Sequence, residues 1–187
     1  MHKTEKQLVD FEDIYHTYYP RMKRFAQEYV MREEDAENIT QDIFLELWES
    51  RALIPTHTNL FSYLFTTVKN RCIDFLRHQM VVQKTADKMQ KNYQQELSMK
   101  FQSLEMFDDE IFGESDVDAV VQRAIGELPD RCRQIFVMNK LEGKKQKDIA
   151  RELDISIHTV ESQMGIAYKR LRESLKDYLP LLIFLLG

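Results

Sequence analysis

The chain has 187 residues, 43% of them hydrophobic, which suits one domain or two small ones. Five glycines and four prolines are few for an all-β fold, while Leu, Glu, Lys, Gln and Arg are plentiful and favour helix, so an all-α fold is expected. A formal net charge of −5 argues against a DNA binder until the chain is divided: residues 1–79 carry 10 basic and 13 acidic side chains, 80–118 carry 4 and 9, and 119–187 carry 12 and 9. The one net basic segment is the last, and a weakly basic module in an acidic chain suits DNA contact that leans on a larger partner.

In chain order, apolar residues recur at helical spacing from Phe11 to about Val30, with Pro20 expected to break or kink the pattern. A second helix is expected in "REEDAENITQDIFLELWESR", where Ala36, Ile39, Ile43 and Leu47 fall three or four apart and acidic residues crowd the N-terminus. "ALIPTHTN" reads as a loop. "LFSYLFTTVKNRCIDFLRHQ" reads as a third helix, with Leu60, Tyr63, Leu64, Thr67, Val68, Cys72, Phe75 and Leu76 near one face. Residues 80–116 turn polar, Gln-rich and then acidic, as in a flexible linker with transient helix; a solvated polar helix is the alternative. "DAVVQRAIGEL" opens a second compact segment. "PDRCRQIFVMNKLEG" follows, with proline at its start and glycine at its end. The division expected is 8–79, 80–116, 117–179 and an apolar tail, 180–187.

The stretch "KQKDIARELDISIHTVESQM" holds two helical patterns around a hinge at Asp154–Ser156. Ile149, Ala150 and Leu153 share a face of the first. In the second, Ile157, Val160, Met164, Ala167, Leu171 and Leu175 form an inward stripe, and Ser156 is placed to cap it. His158, Glu161, Ser162, Gly165, Lys169 and Arg172 then face outward; small polar groups leave room for base edges and basic ones meet phosphates. This is a helix-turn-helix or an ordinary two-helix corner. Asp154 stands where glycine is frequent, and aspartate tolerates a left-handed backbone.

"AENITQDIFLELWESR" followed by "NLFSYLFTTVKNRCIDFLRH" resembles the second region of bacterial RNA polymerase sigma factors. "ELPDRCRQIFVMNKLEGKKQKDIARELDISIHTVESQMGIAYKRLRESL" resembles their fourth region, a helix-turn-helix. The order, the acidic linker and the short length resemble the extracytoplasmic-function (ECF) group. The resemblance implies a cytoplasmic factor that binds core RNA polymerase and promoter DNA, directs initiation and helps strand opening. An anti-sigma factor is the further partner implied, and no cofactor is.

The resemblance also distributes roles. Asn38, Gln41, Asp42, Leu45, Trp48 and Glu49 match the face that docks on a coiled coil of the largest polymerase subunit, while Ile39, Ile43, Phe44 and Leu47 are expected in the core. His57, Thr58, Asn59, Phe61, Tyr63, Lys69, Asn70, Arg71 and Arg77 match the minus-ten reader, where a flipped base is stacked and hydrogen-bonded. For Phe61 and Tyr63 helix packing is the competing role, and for His57 a solvated surface position. His158, Thr159, Glu161, Ser162 and Gly165 match the base-reading start of the minus-thirty-five helix. Lys144, Lys145, Lys147, Lys169, Arg170 and Arg172 match its phosphate contacts. Gly165 and Ile166 stand where the family often has a polar or basic pair; Ile166 then touches a thymine methyl or faces a neighbour.

Other classes fare worse. The five histidines are scattered, and the chain has no Gly-rich phosphate loop, no HExxH and no nucleophile elbow, so catalysis is not expected. A free-standing regulator would carry a ligand or dimerisation domain in front, where the region-two pattern sits instead. Cys72 and Cys132 make neither a disulfide framework nor a zinc site. "MHKTEKQLVDFEDIYH" lacks the apolar core of a signal peptide, and "LPLLIFLLG" is far shorter than the ~20 residues of a membrane span. That tail packs on the fourth-region segment or joins a partner.

Overall fold

The computed structural model describes residues 11–49, 57–85, 91–105 and 114–187, with no side-chain description for residues 57–59, 83–85, 91, 114 and 115. Every regular element among them is an α-helix: α1 (Phe11–Tyr29), α2 (Glu33–Glu49), α3 (His57–Thr85), α4 (Lys91–Glu105), α5 (Glu114–Gly126), α6 (Asp130–Lys140), α7 (Gln146–Glu152), α8 (Ile157–Ser174) and α9 (Leu179–Leu186).

α1 runs through Pro20, contrary to the expected break. Proline removes the bond to the carbonyl of His16, and both residues are exposed, so water can take that carbonyl. The inward face of α1 (Ile14, Tyr18, Met22, Phe25, Ala26) meets Ala36, Ile43, Phe44 and Leu47 of α2 and Leu60, Leu64, Phe65 and Val68 of α3. α3 starts at His57, so the end of the expected loop is already helical; it also runs past Gln79 to Thr85.

The expected free tether is not what residues 91–105 form. α4 lies against α3 and buries Leu97 and Leu104, and Ser103 bonds the Tyr29 phenol, whose pKa burial pushes up to about 12. Two apolar side chains a heptad apart anchor a helix whose remaining surface is polar. Residues 86–90 and 106–113 of the expected linker lie outside the described residues.

The second segment packs α6, α7 and α8 around Cys132, Ile135, Phe136, Ile149, Val160, Met164, Ala167 and Leu171. The Cys132 thiol donates to the Gln163 carbonyl at 3.3 Å, tying α6 to α8. The apolar tail is helix α9. It lies mainly on α1 and also meets α8, with Phe184 against Phe25 of α1 and Phe61 and Phe65 of α3 at centroid distances of 5.8, 5.1 and 5.5 Å. The tail thus packs on the fourth-region segment, as expected, and on the second-region segment as well.

Candidate nucleic-acid interface

The turn between α7 and α8 is built from the backbone upward. Asp154 has φ 50°, the left-handed conformation that closes a helix. Beside it, the Ile155 N–H bonds the Ala150 carbonyl at 2.9 Å and the Asp154 N–H bonds the Arg151 carbonyl at 3.4 Å. These are the paired bonds of a Schellman ending, with aspartate in the glycine position. Two residues on, the Ser156 hydroxyl accepts from the Thr159 N–H at 3.0 Å and shares a 2.8 Å hydrogen bond with the Thr159 hydroxyl. The cap satisfies one of the free N–H groups that begin α8. Arg131 adds a brace by donating to the Leu153 carbonyl at 3.4 Å.

From that start, α8 buries Val160, Met164, Ala167 and Leu171, with Leu175 at its cap, and leaves His158, Glu161, Ser162, Gly165, Lys169, Arg170 and Arg172 exposed; Thr159 is half-buried. Ile157 corrects the expected inward stripe: it is 40% exposed, because the first residue of a helix lies ahead of the turn that packs. Ile166 is 42% exposed, so a large part of its side chain is open to solvent. A Cβ on Gly165 would meet nothing within 4 Å. An α-helix about 10–12 Å across fits a major groove about 12 Å wide, and this face carries no bulky aromatic to hold it away.

Lys145 and Lys147 are exposed beside the turn. Lys144 is half-buried and committed: its ammonium contacts both Glu152 carboxylate oxygens, at 2.8 and 3.0 Å, and lies 3.4 Å from Glu142. Hydrogen bonding to Glu152 raises its pKa. Arg151, passed over in the sequence because it sits between acidic residues, is exposed near the turn and 3.4 Å from Asp148.

On α2, Asn38, Gln41, Asp42, Leu45, Trp48 and Glu49 are all exposed, Leu45 at 58% and Trp48 at 47%. Ile43, Phe44 and Leu47 are buried beneath them and Ile39 is partly so, as expected. Trp48 does not stand alone. Phe11 meets it edge-on at 4.8 Å, and Tyr15, 39% exposed, stacks on Tyr19 and meets Phe44 at 5.1 Å. Phe11 and Tyr15 belong to the helically spaced apolar run that starts at Phe11, and the structure adds them to the α2 face. Surface-reaching aromatics look like core until the tertiary partner is known.

The minus-ten candidates are not gathered on one face. Tyr63, Asn70 and Arg77, seven residues apart, share a side of α3; Arg71 is exposed and ion-paired with Glu46. Arg77 lies 3.1 Å from Asp74 and 5.9 Å from the centre of the Phe101 ring of α4. Phe61 and Lys69 correct the expectation of open contacts. Phe61 is core, packed on Phe184, and Lys69 is only 1% exposed, because both fall on the side of α3 turned to the rest of the chain. The side chains of His57, Thr58 and Asn59 lie outside the described residues.

Among the described residues no cluster of His, Cys, Asp and Glu could hold a metal ion, and no helix is long and apolar enough to cross a membrane. A family model described as Sigma-70 region 2 matches residues 14–81, and one described as Sigma-70, region 4 matches residues 118–171. The chain is 24% identical over 166 residues to the ECF RNA polymerase sigma factor RpoE of Cereibacter sphaeroides, covering 87% of this chain and 84% of that protein. It is 24% identical over 159 residues to the ferric citrate uptake sigma factor FecI of Escherichia coli, covering 85% and 87%.

Proposed function

The chain belongs to the sigma-70 family, in its extracytoplasmic-function group, and on that premise we propose how its surfaces divide the work. It is a promoter-specific transcription initiation factor that acts by binding and has no chemistry of its own. Core RNA polymerase and promoter DNA are its partners. The roles of individual residues are our assignment.

We assign residues 8–79 to polymerase docking and the minus-ten element, 117–179 to the minus-thirty-five element, 80–116 to the connection and 180–187 to a separate tail. The face of Asn38, Gln41, Asp42, Leu45, Trp48 and Glu49 docks on polymerase, with Phe11 and Tyr15 widening its aromatic centre; an apolar anchor ringed by polar groups is how protein interfaces concentrate their energy. α8 enters the minus-thirty-five major groove. His158, Thr159, Glu161, Ser162 and Gly165 lie nearest the bases, Glu161 accepting from a cytosine amino group and Ile166 touching a thymine methyl. Lys144, Lys145, Lys147, Lys169, Arg170 and Arg172 hold phosphates, Lys144 after exchanging its carboxylate partners for DNA. At the minus-ten element Arg71 and Arg77 hold the backbone while Tyr63, Asn70, His57, Thr58 and Asn59 take the unstacked base, offsetting a flipping cost of a few kcal/mol. An anti-sigma protein is the inhibitor, and the cytoplasm the compartment.

The observation that carries this reading is the two-sidedness of α8: four buried apolar anchors beneath a polar outer face free to enter a groove. Run-off transcription on fragmented genomic DNA, with core polymerase and with or without the protein, tests it. Discrete transcripts that need the protein are expected. Sequence-specific DNA binding by the chain alone without such transcripts would favour a free-standing regulator and overturn the docking role of Gln41 and Asp42.

A further inference from the structure

α9 lies beyond both family-matched segments, which end at residues 81 and 171, and it touches both. Phe184 is fully buried among Phe25, Phe61 and Phe65 of the first segment. The other end of the helix is held by the second: the Lys140 ammonium of α6 donates to the Leu186 and Gly187 oxygens at 3.0 and 3.1 Å. The segments also meet directly. α5 packs on α3, and the turn after α6 presses on α1 so closely that a Cβ on Gly143 would run into the Thr17 hydroxyl. Gly143 has φ 71°, so glycine serves both the backbone and the fit.

Promoter geometry conflicts with this arrangement. The two elements are centred about 25 base pairs apart, about 85 Å along the duplex. Each segment of about 70 residues is about 30 Å across, so two touching segments reach about 60 Å at most. The closed arrangement therefore cannot hold both elements at once.

The seam is also imperfect. Among the described residues, Tyr18 Oη and Arg21 Nη1 are buried there with no hydrogen-bond partner, the Arg21 guanidinium lying 5.3 Å from the centre of the Tyr18 ring. Buried unpaired polar groups weaken a contact, so the seam suits one that must open.

We propose that α9 is an intramolecular clasp that holds the two promoter-reading segments together in a closed, transcriptionally idle state. This rests on the sigma-factor reading and goes beyond it. Release of the clasp precedes simultaneous contact with the two elements.

The test locks the seam. The Thr17 Cβ and a Cβ built on Gly143 are 3.3 Å apart, a few tenths of an ångström below ordinary disulfide spacing. In the full chain carrying Thr17→Cys and Gly143→Cys, oxidised glutathione should form the intramolecular disulfide by exchange, releasing reduced glutathione; Cys72 and Cys132 are buried away from it. The oxidised protein should lose promoter-specific run-off transcription at least tenfold, and reduction should restore it to the wild-type level. Adding Phe184→Ala or Lys140→Met should slow cross-linking about tenfold. Lys140 lies outside the aromatic core, so its variant keeps the test sharp if Phe184→Ala fails to fold. Full transcription by the cross-linked protein overturns the clasp, as does unchanged cross-linking speed in both the Phe184→Ala and the Lys140→Met proteins; because Gly143→Cys is strained at φ 71° and crowds Thr17, the speeds are compared within that double-cysteine background. Cross-linking in a protein that directs no transcripts even when reduced, with wild type equally silent, overturns the sigma-factor reading and the clasp's inhibitory role with it.

Discussion

Ser156→Ala isolates the cap from the rest of the DNA-reading helix. Ser156 is exposed, so the change removes no packing; it removes the acceptor 3.0 Å from the Thr159 N–H and the partner 2.8 Å from the Thr159 hydroxyl. Cap deletions cost about 1 kcal/mol, with a range of roughly 0.5–2. The half-buried Thr159 hydroxyl also loses its partner, which puts this site in the upper half of that range. For a chain of this size each kcal/mol moves Tm by roughly 2–4 °C, so a fall of about 2–8 °C is expected in a thermal melt followed by circular dichroism. The first turn of α8 carries His158, Thr159 and Glu161. If it frays in the free protein and must reorder on DNA, promoter affinity falls about fivefold per kcal/mol.

Ser156→Asp supplies the decisive contrast. Aspartate caps as well as serine and its charge suits a helix N-terminus, so Tm should recover. The same charge would face DNA phosphates, so affinity, read by fluorescence anisotropy on a promoter fragment, should stay below wild type, and the deficit should widen as salt is reduced. The reasoning is refuted if Ser156→Ala melts within about 0.3 kcal/mol of wild type, or if Ser156→Asp restores stability and binding together.

Trp48→Ala should weaken core polymerase binding about thirtyfold, the loss of a hot-spot aromatic, with little change in Tm because the ring is half exposed; a Tm drop of matching size would mean the ring is structural. Lys145→Gln and Lys147→Gln should each weaken binding about equally on all DNA sequences and lower the salt slope by about one, measured by titration at several salt concentrations. Glu152→Gln should free Lys144 and remove a nearby negative charge, raising nonspecific affinity; unchanged affinity would take Lys144 off the phosphate path. Burial pushes up the pKa of the Cys72 and Cys132 thiols, so both should resist iodoacetamide at pH 8 until denaturant is added.

What the sequence disclosed depended on how local the signal was. The α7–α8 turn was legible because its parts lie within a dozen residues: the apolar face of the first helix, a residue tolerant of φ 50° at Asp154, a capping serine and an inward stripe. The α2 face was legible for the same reason, since Ile43, Phe44 and Leu47 mark the inward side and fix Gln41, Asp42 and Leu45 as outward. α3 was harder. Apolar and polar residues are mixed along it, and whether Phe61 faces DNA or core depends on Phe184, more than a hundred residues away. Pro20 does not break α1 because the carbonyl it orphans is exposed, so water offsets part of the cost and the buried face of the helix holds the rest.

The tail shows the same limit most sharply. "LPLLIFLL" is apolar all round, so its composition demands burial but its periodicity names no face. Local reading offered the fourth-region segment or a partner as its seat. The structure also spends Phe184 on an aromatic cluster contributed by residues 25, 61 and 65, which turns Phe61 from a stacking candidate into part of a buried core. The closed seam also leaves the groove-reading side of α8 and the polar side of α2 exposed. Closure therefore hides neither interface; it fixes their separation. A factor regulated this way would keep intrinsic affinity for each half of its target and lose only the ability to use both at once, so isolated half-site binding should be blind to the clasp while promoter-directed initiation is governed by it.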